Sequence, residues 1–352
     1  MKKFLCLLLC LVMSCTLLVS CSDDSEIGDG IGDYPETVER VERLDLNMYI
    51  ITSDDTTEDA KNSVSMRIAG YTKTMFNTEL NVFYLSESGY EEAISAAINN
   101  GGANMPHIIL VNSADMFNSL KSANKLVDLT SYYNSRDYGR LNTQIASALL
   151  QASKVDDGKL FSVPNNRVLG EYQYLVINKE VAVQTLKYGN AELSAYKSLD
   201  DAAALIEDIG KLGLNADDYV RVVNGAYEDR FELSEENFCN VIANPVVTVD
   251  DAFASAFAIV NTTEKYNDRA MQMIYKINTD ITLRNILQYG VLGSNYTSNN
   301  GDFIRVKDGA NTYNMNLIHT GDAFKANGCS EFGWNDAKKN YGMLQNSEAK
   351  FQ

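Results

Sequence analysis

Residues 44–111 alternate short apolar runs with longer amphipathic ones, and this alternation limits the chain to very few fold classes. Leu44–Ile51 (LDLNMYII), Leu80–Leu85 (LNVFYL) and His107–Val111 (HIILV) read as strands, the last short and continuously apolar as a buried parallel strand is. Between them, Glu58–Phe76 places Val64, Ile68, Tyr71 and Met75 at helical spacing, and Gly89–Asn99 does the same with Tyr90, Ile94, Ala97 and Ile98. The order β-α-β-α-β predicts a parallel, doubly wound sheet. Ligands of such sheets sit beyond the carboxyl ends of the strands. Three short polar loops, Ser53–Thr56, Ser86–Gly89 and Asn112–Ala114, lie on that face. The same residues suit helix caps, and the two uses are compatible.

The next informative stretch is GKLFSVPNNRVLGEYQYLVINKE, residues 158–180. Two β-rich runs, Lys159–Val163 and Tyr172–Asn178, flank a polar loop of Asn165, Asn166, Arg167 and Gly170, with Pro164 closing the first run. Strand-helix units precede and follow it, so it reads as a crossing between two lobes. Farther on, Ser198–Asp201 opens a helix Leu199–Lys211 with Ala203, Ile206 and Leu212 inward. Val246–Val249 after Asn244-Pro245 suggests the return crossing, and Ala252–Val260 a single small-residue strand or helix. Asn267 and Asp280 read as caps of two more helices, the second ended by Gly290.

Several of these segments resemble bacterial extracellular solute-binding lipoproteins of family 1, which serve ABC importers. The likeness rests on GKLFSVP followed by EYQYLVINKE, on NGGANMPHIIL followed by ANKLVDLTSYY, and on FAIVNTTEKYNDRAMQMIYKINTDITLRNILQYGVLGSNYT. Together they span most of Asn81–Tyr296. One departure is His107, where the family carries Asp. The resemblance implies an α/β, two-lobed, periplasmic-binding-protein-like fold of type II; relatives usually continue well past the position of Gln352, so the chain reads as either a shortened member or an incomplete one. Lobe 1 would comprise residues 44–160 with 250–300, and lobe 2 residues 161–249 with 301–352. The crossings would lie near Gly158–Asn178 and Asn240–Ala258, and closing the lobes on a solute would favour the bound state.

The N-terminus carries targeting chemistry instead of core. Met1-Lys2-Lys3 precedes an apolar run from Phe4 to Val19, the anatomy of a signal peptide over residues 1–20. Leu18-Val19-Ser20-Cys21 resembles a lipobox, implying lipidation at Cys21, whereas a site at Cys15 would leave a very short apolar region. Residues 21–43 are rich in Asp, Glu, Gly and Ser and read as a flexible tether. The expected location is the outer face of the bacterial cytoplasmic membrane. Cys239 and Cys329, the only cysteines in the body, read as free thiols, with a disulfide as the alternative.

Charge and motifs narrow the function. A formal net charge of −17 opposes nucleic-acid binding, which needs clustered Lys and Arg. Only two histidines, His107 and His319, leave little for zinc or a Ser-His-Asp triad, and no G-x-S-x-G elbow, P-loop or G-x-G-x-x-G occurs. Ser-x-x-Lys at Ser122, Ser194 and Ser347 lacks partner motifs, and Asp156-Asp157-Gly158 lacks the remainder of a calcium loop. No enzymatic activity, cofactor or metal is expected. Tyrosine, at 20 residues, suits stacking on sugar rings, with core packing as the competing use. The expected ligand residues are Ser53, Asp54, Asn112, Asn165, Glu171, Tyr172 and Tyr289. The expected partners are a small polar solute, a sugar or oligosaccharide before a peptide, together with ABC permease subunits and the membrane, the chain itself being a monomer. A surface lipoprotein without a transport role, adhesin or degenerate copy, is the alternative.

Overall fold

The computed structural model describes residues 42–156, 158–179, 182, 183, 189–306 and 309–352. The signal segment, Cys21 and nearly all of the tether lie outside the described residues. The chain opens with β1 (Leu44–Ile51), α1 (Glu58–Phe76), β2 (Thr78–Leu85), α2 (Tyr90–Asn100), β3 (Ile108–Val111) and α3 (Ala114–Ser122). Short helical turns, Thr130–Tyr133, Leu141–Gln144 and Ser147–Ala152, lead to β4 (Ser162–Pro164). Then come β5 (Tyr172–Asn178), α4 (Leu199–Lys211), β6 (Val220–Gly225), β7 (Asn237–Ala243), β8 (Val246–Val247) and β9 (Ala256–Ile259). Two helices, α5 (Glu264–Thr279) and α6 (Ile281–Tyr289), a hairpin of β10 (Tyr296–Asn299) and β11 (Asp302–Arg305), α7 (Asp336–Glu348) and β12 (Lys350–Phe351) complete it.

The larger sheet has the order β2-β1-β3-β9-β4, with β1 parallel to β2 and β3, and β9 antiparallel to both β3 and β4. Its β1 and β3 are nearly wholly buried, as their apolar runs require. Tyr90 of α2 ties them: its buried hydroxyl accepts from Leu110 N at 3.0 Å and donates to Tyr49 O at 2.9 Å. Pro164 sits inside β4, not beyond it, and can do so because β4 is the edge of the sheet and needs no outward N–H. A second sheet, β6-β5-β7, is antiparallel throughout. Its apolar cluster, with Leu175, Ile177, Val220 and Ile242, receives α4. The chain passes from one sheet to the other through residues 165–171 and returns through 244–255.

Several details differ from the sequence reading. On α1 the buried stripe is Ala60, Val64, Ile68 and Thr72, while Met75 is 57% exposed. A straight i+4 row carries Thr72, not Met75, under β2, and Thr72 Oγ1 accepts from Leu80 N at 3.2 Å. On α4 the inward residues are Ala202, Leu205 and Ile209, whereas Ile206 and Leu212 are 41% and 63% exposed. The stretch DDAAALIEDIGKL offers two apolar stripes, and the packed sheet selected the one containing Leu205. Asn267 is not a cap: α5 begins at Glu264, and Asn267 Oδ1 reaches back to accept from Thr262 N at 3.3 Å. The 252–260 run divides into a helix, Val249–Phe253, and the strand β9. The stretch 301–352 does not belong wholly with the second sheet, since Tyr313 and Met315 enter the larger core.

His107 takes a local role. Its Nδ1 accepts from Asn47 N at 3.0 Å, its ring stacks on Tyr266 at 4.9 Å, and burial holds its pKa below the usual value. It precedes β3, at the end of the sheet opposite the expected ligand edge, so the departure from Asp does not shape that edge. Cys239 and Cys329 are free thiols. Among the described residues no helix is long and apolar enough to cross a membrane.

The segment Leu317–Asp322 is tied to the larger core by Arg284 of α6, which is fully buried. Its Nε donates to Asp322 O at 3.0 Å, Nη2 to Leu317 O at 2.9 Å and Nη1 to Gln288 Oε1 at 3.3 Å. Replacing Arg284 with Met strands two buried carbonyls, and we expect a loss of about 3 kcal/mol in urea unfolding. A loss under about 1 kcal/mol would show that these bonds do not hold the segment.

Candidate functional site

The carboxyl ends of β3 and β4 and the start of β9 lie side by side. Val111 and Pro164 both pair with Ala256, so the residues just beyond them, Asn112, Asn165 and Ser255, line up along the sheet edge. Asn165 N donates to Ser255 O at 2.9 Å, and Asn165 Nδ2 donates to Ser255 Oγ at 3.0 Å and Ile318 O at 2.9 Å. Ser255 Oγ also donates to Ile318 O at 2.6 Å, bringing the turn Leu317–Thr320, and with it His319, onto the edge. Arg167 is held nearby by Asp251 O, to which Nη2 donates at 2.6 Å.

This edge is unusual for how many buried polar atoms it leaves without a protein partner. Asn112 Oδ1, Asn165 Oδ1, Ser162 Oγ and His319 Nδ1 are all in that state among the described residues. Buried polar groups are nearly always hydrogen-bonded, because desolvation without a partner costs on the order of 1–3 kcal/mol each. A row of them leaves unused hydrogen-bonding capacity concentrated along this edge.

Gln144 adds a second group of the same kind. Both its amide oxygen and its amide nitrogen are buried and unpartnered, and it lines a cavity of about 1,110 Å³. The cavity lies against the 164–168 crossing through Asn166, and against the turn carrying Asp322, Phe324 and Lys325; Asn346 of α7 and Phe351 of β12 also line it. Asn166 is fixed by Nδ2 donating to Gln144 O at 2.9 Å and Oδ1 accepting from Ala146 N at 3.2 Å. Cavities elsewhere measure about 240, 260 and 360 Å³. Amides, a carboxyl group and aromatic rings around a space of this size can hold a polar solute of several rings by hydrogen bonding and stacking. Among the described residues, no group of three or more His, Cys, Asp and Glu could hold a metal ion.

The residues expected from the sequence are scattered by comparison. Asn112 and Asn165 meet at the sheet edge. Ser53 follows β1, where its N donates to Asn314 O at 3.2 Å, and the segment 312–314 folds over this loop. Asp54 and Glu171 are exposed. The rings of Tyr172 and Tyr289 are not open to a ligand, since both are fully buried. Tyr172 packs against Tyr174 at 5.6 Å and Tyr227 at 6.2 Å, and its hydroxyl donates to Glu348 Oε2 at 2.9 Å. Tyr289 packs against Phe303 at 5.0 Å and donates to Asn327 O at 2.7 Å. Strand alternation does put Tyr172 and Tyr174 on one side, but that side is covered by Tyr227 and α7. The sequence reading did not select Gln144, Asn166, Ser255, His319 or Asp322. A signal existed for two of them: His319 is one of only two histidines, and Asn166 neighbours Asn165 in a loop already singled out.

No protein-family model matches the sequence, and no curated protein matches it. Solved structures do match. The N-glycan transport solute binding protein (NgtS) of Streptococcus pneumoniae superimposes with a TM-score of 0.56 at 15% identity, over 88% of this chain and 83% of that one. The chain has the fold of the extracellular solute-binding proteins. The same S. pneumoniae protein in complex with Man5GlcNAc gives a TM-score of 0.55 at 15% identity, over 88% of this chain and 83% of that one. Its complex with Man1GlcNAc gives 0.55 at 14% identity, over 88% and 84%. In this solute-binding fold the expected two-lobed α/β architecture is realised by the five- and three-stranded sheets.

Two titratable groups at the site oppose each other. Burial raises Asp322 from 3.8 to about 6, while burial, aided by the Arg167 charge, lowers His319 from 6.5 to about 4. The folded state therefore holds an extra proton on Asp322 between about pH 4 and 6, and that stabilisation is lost as pH rises through 6. His319 is the reverse: its contribution is present above pH 6.5 and lost as pH falls toward 4. Acidifying from pH 7 to 5 should cost the Asp322→Asn variant about 2 kcal/mol through His319 alone. The His319→Gln variant should gain about 1 kcal/mol over the same range. Unfolding free energies at both pH values check this, and parallel pH profiles for the two variants would contradict it.

Proposed function

We propose that this protein is a lipid-anchored extracellular solute-binding protein that captures a sugar or oligosaccharide and delivers it to an ABC importer. The observation that carries the reading is the coincidence of two things. One is the solute-binding fold shared over 88% of the chain with a glycan-binding structure. The other is a cavity of about 1,110 Å³ beside a row of buried polar atoms with no protein partner. Hydroxyl groups of a sugar supply both donors and acceptors, which is what Asn112, Asn165, Gln144 and His319 lack. Peptide backbones offer the same groups less densely. The protein is read as a monomeric binder without enzymatic activity or cofactor, and Ser53, Asp54 and Glu171 remain candidates for outer contacts.

In this reading, Cys21 carries the lipid and residues 21–43 hold the binding body off the outer face of the cytoplasmic membrane. Two acyl chains suffice for stable anchoring where one is marginal. The 165–171 and 244–255 passages would flex as solute closes the two sheets on each other.

A melting screen of the soluble mature chain against a glycan panel tests the binding. A ligand at a hundredfold excess over its Kd should add about 2.7 kcal/mol of stability. Asn165→Ala should abolish most of the shift. If no glycan moves the transition while a peptide library does, the sugar reading fails; if nothing does, a surface lipoprotein without transport remains. Anchoring has its own measurement: Cys21→Ala in the full-length chain should move the protein from the membrane fraction to the medium, and unchanged membrane association would remove the lipid.

A further inference from the structure

The chain carries 47 Asp and Glu against 30 Lys and Arg, yet its large cavity reverses that balance. The charged residues lining it are Arg140, Lys325, Lys350 and Asp322. None of the three cations lies within 4 Å of a carboxylate among the described residues, whereas Arg43, Lys121, Lys265 and Arg305 do. Lys325 is half-buried, so water screens it less than a surface lysine. The single acid is already engaged: Asp322 Oδ1 accepts from Phe324 N at 3.0 Å. By contrast, the cavity beside β5 and β6 is lined by Asp217, Asp218 and Glu236 with only Arg221.

Unpaired cations grouped around a concave site raise the local concentration of anions, most strongly where the walls exclude water. Between them, Gln144 presents an amide with both its donor and its acceptor unspent. We propose that the solute this cavity takes is an acidic sugar, its carboxylate or sulfate ester meeting Arg140 and Lys325 while Gln144 reads an adjacent hydroxyl. This rests on the solute-binding reading above and specifies its ligand. An anion bound here forms hydrogen bonds in which both partners are charged, stronger than those a neutral hydroxyl makes with the same cations.

The test compares a galacturonate oligosaccharide, the neutral galactose oligosaccharide of equal length and its sulfated form, by calorimetry on the soluble mature chain at low and high salt. The acidic ligands should bind at least about tenfold more tightly than the neutral one, with the gap narrowing as salt rises. Lys325→Gln and Arg140→Gln should each weaken the acidic ligand about tenfold, the loss of one charge-assisted hydrogen bond, and leave the neutral one unchanged. Lys211→Gln, far away on α4, should change neither. Which acidic arm binds better separates carboxylate from sulfate. Equal or tighter binding of the neutral sugar, or indifference to both substitutions, overturns the inference while leaving solute binding intact. Failure of all three sugars, charged and neutral alike, overturns the inference, and the glycan-panel melting screen then decides the solute-binding reading separately.

Discussion

Arg284 is the constraint on which the rest of the architecture turns. A guanidinium with no solvent exposure must spend its donors inside the protein, and it spends them on the carbonyls of Leu317 and Asp322 and on Gln288. Burial lowers its pKa only to about 10, so it stays charged at neutral pH. Those carbonyls belong to the segment that brings His319 and Asp322 to the sheet edge and the cavity wall. Without Arg284, this stretch of short 3₁₀ turns would have little to define its path, because so few of its own backbone groups bond to each other. The helix that carries Arg284 is in turn fixed by its Asp280 cap, whose Oδ1 accepts from Leu283 N at 2.9 Å.

The crossing residues 164–168 mediate between that anchored segment and the rest. Adjacent asparagines face different ways: Asn165 ties the sheet edge to Ile318, and Asn166 ties the cavity wall to Gln144 and Ala146. On the far side, Asn346 of α7 accepts from Leu169 N at 2.9 Å and donates to Arg167 O at 2.6 Å. Side-chain amides thus replace the sheet ladder over a stretch where the chain leaves one sheet for another. Such bonds fix a path while leaving the two sheets separately packed, each around its own apolar cluster.

Much of the fold was legible because local rules and tertiary packing agreed. The bounds of β1, β5, α1 and α4 follow from apolar periodicity and, for α4, from the Ser198 cap. Strand order put Asn112 beyond the carboxyl end of its strand, and there it stands along one sheet edge with Asn165. Tyr172 and Tyr289 illustrate what periodicity misses: alternation gives the side of a strand a ring is on, not what covers that side. Met75 and Ile206 were misjudged for a related reason, since an amphipathic sequence can offer two plausible stripes until a partner selects one.

By itself the sequence determined the α/β alternation and the absence of recognisable catalytic motifs, because each depends on residues near one another in the chain. Only the tertiary structure decided that Gln144, Asn166 and Asp322, separated by as many as 178 positions, border one cavity, and that the turn carrying His319 reaches the neighbouring sheet edge. It alone also gathered unpaired cations around that cavity in a chain of net charge −17. Local propensity acts over a few residues, whereas desolvation and the field of a charge act through space, so the sign of a cavity emerges only once the chain has closed around it.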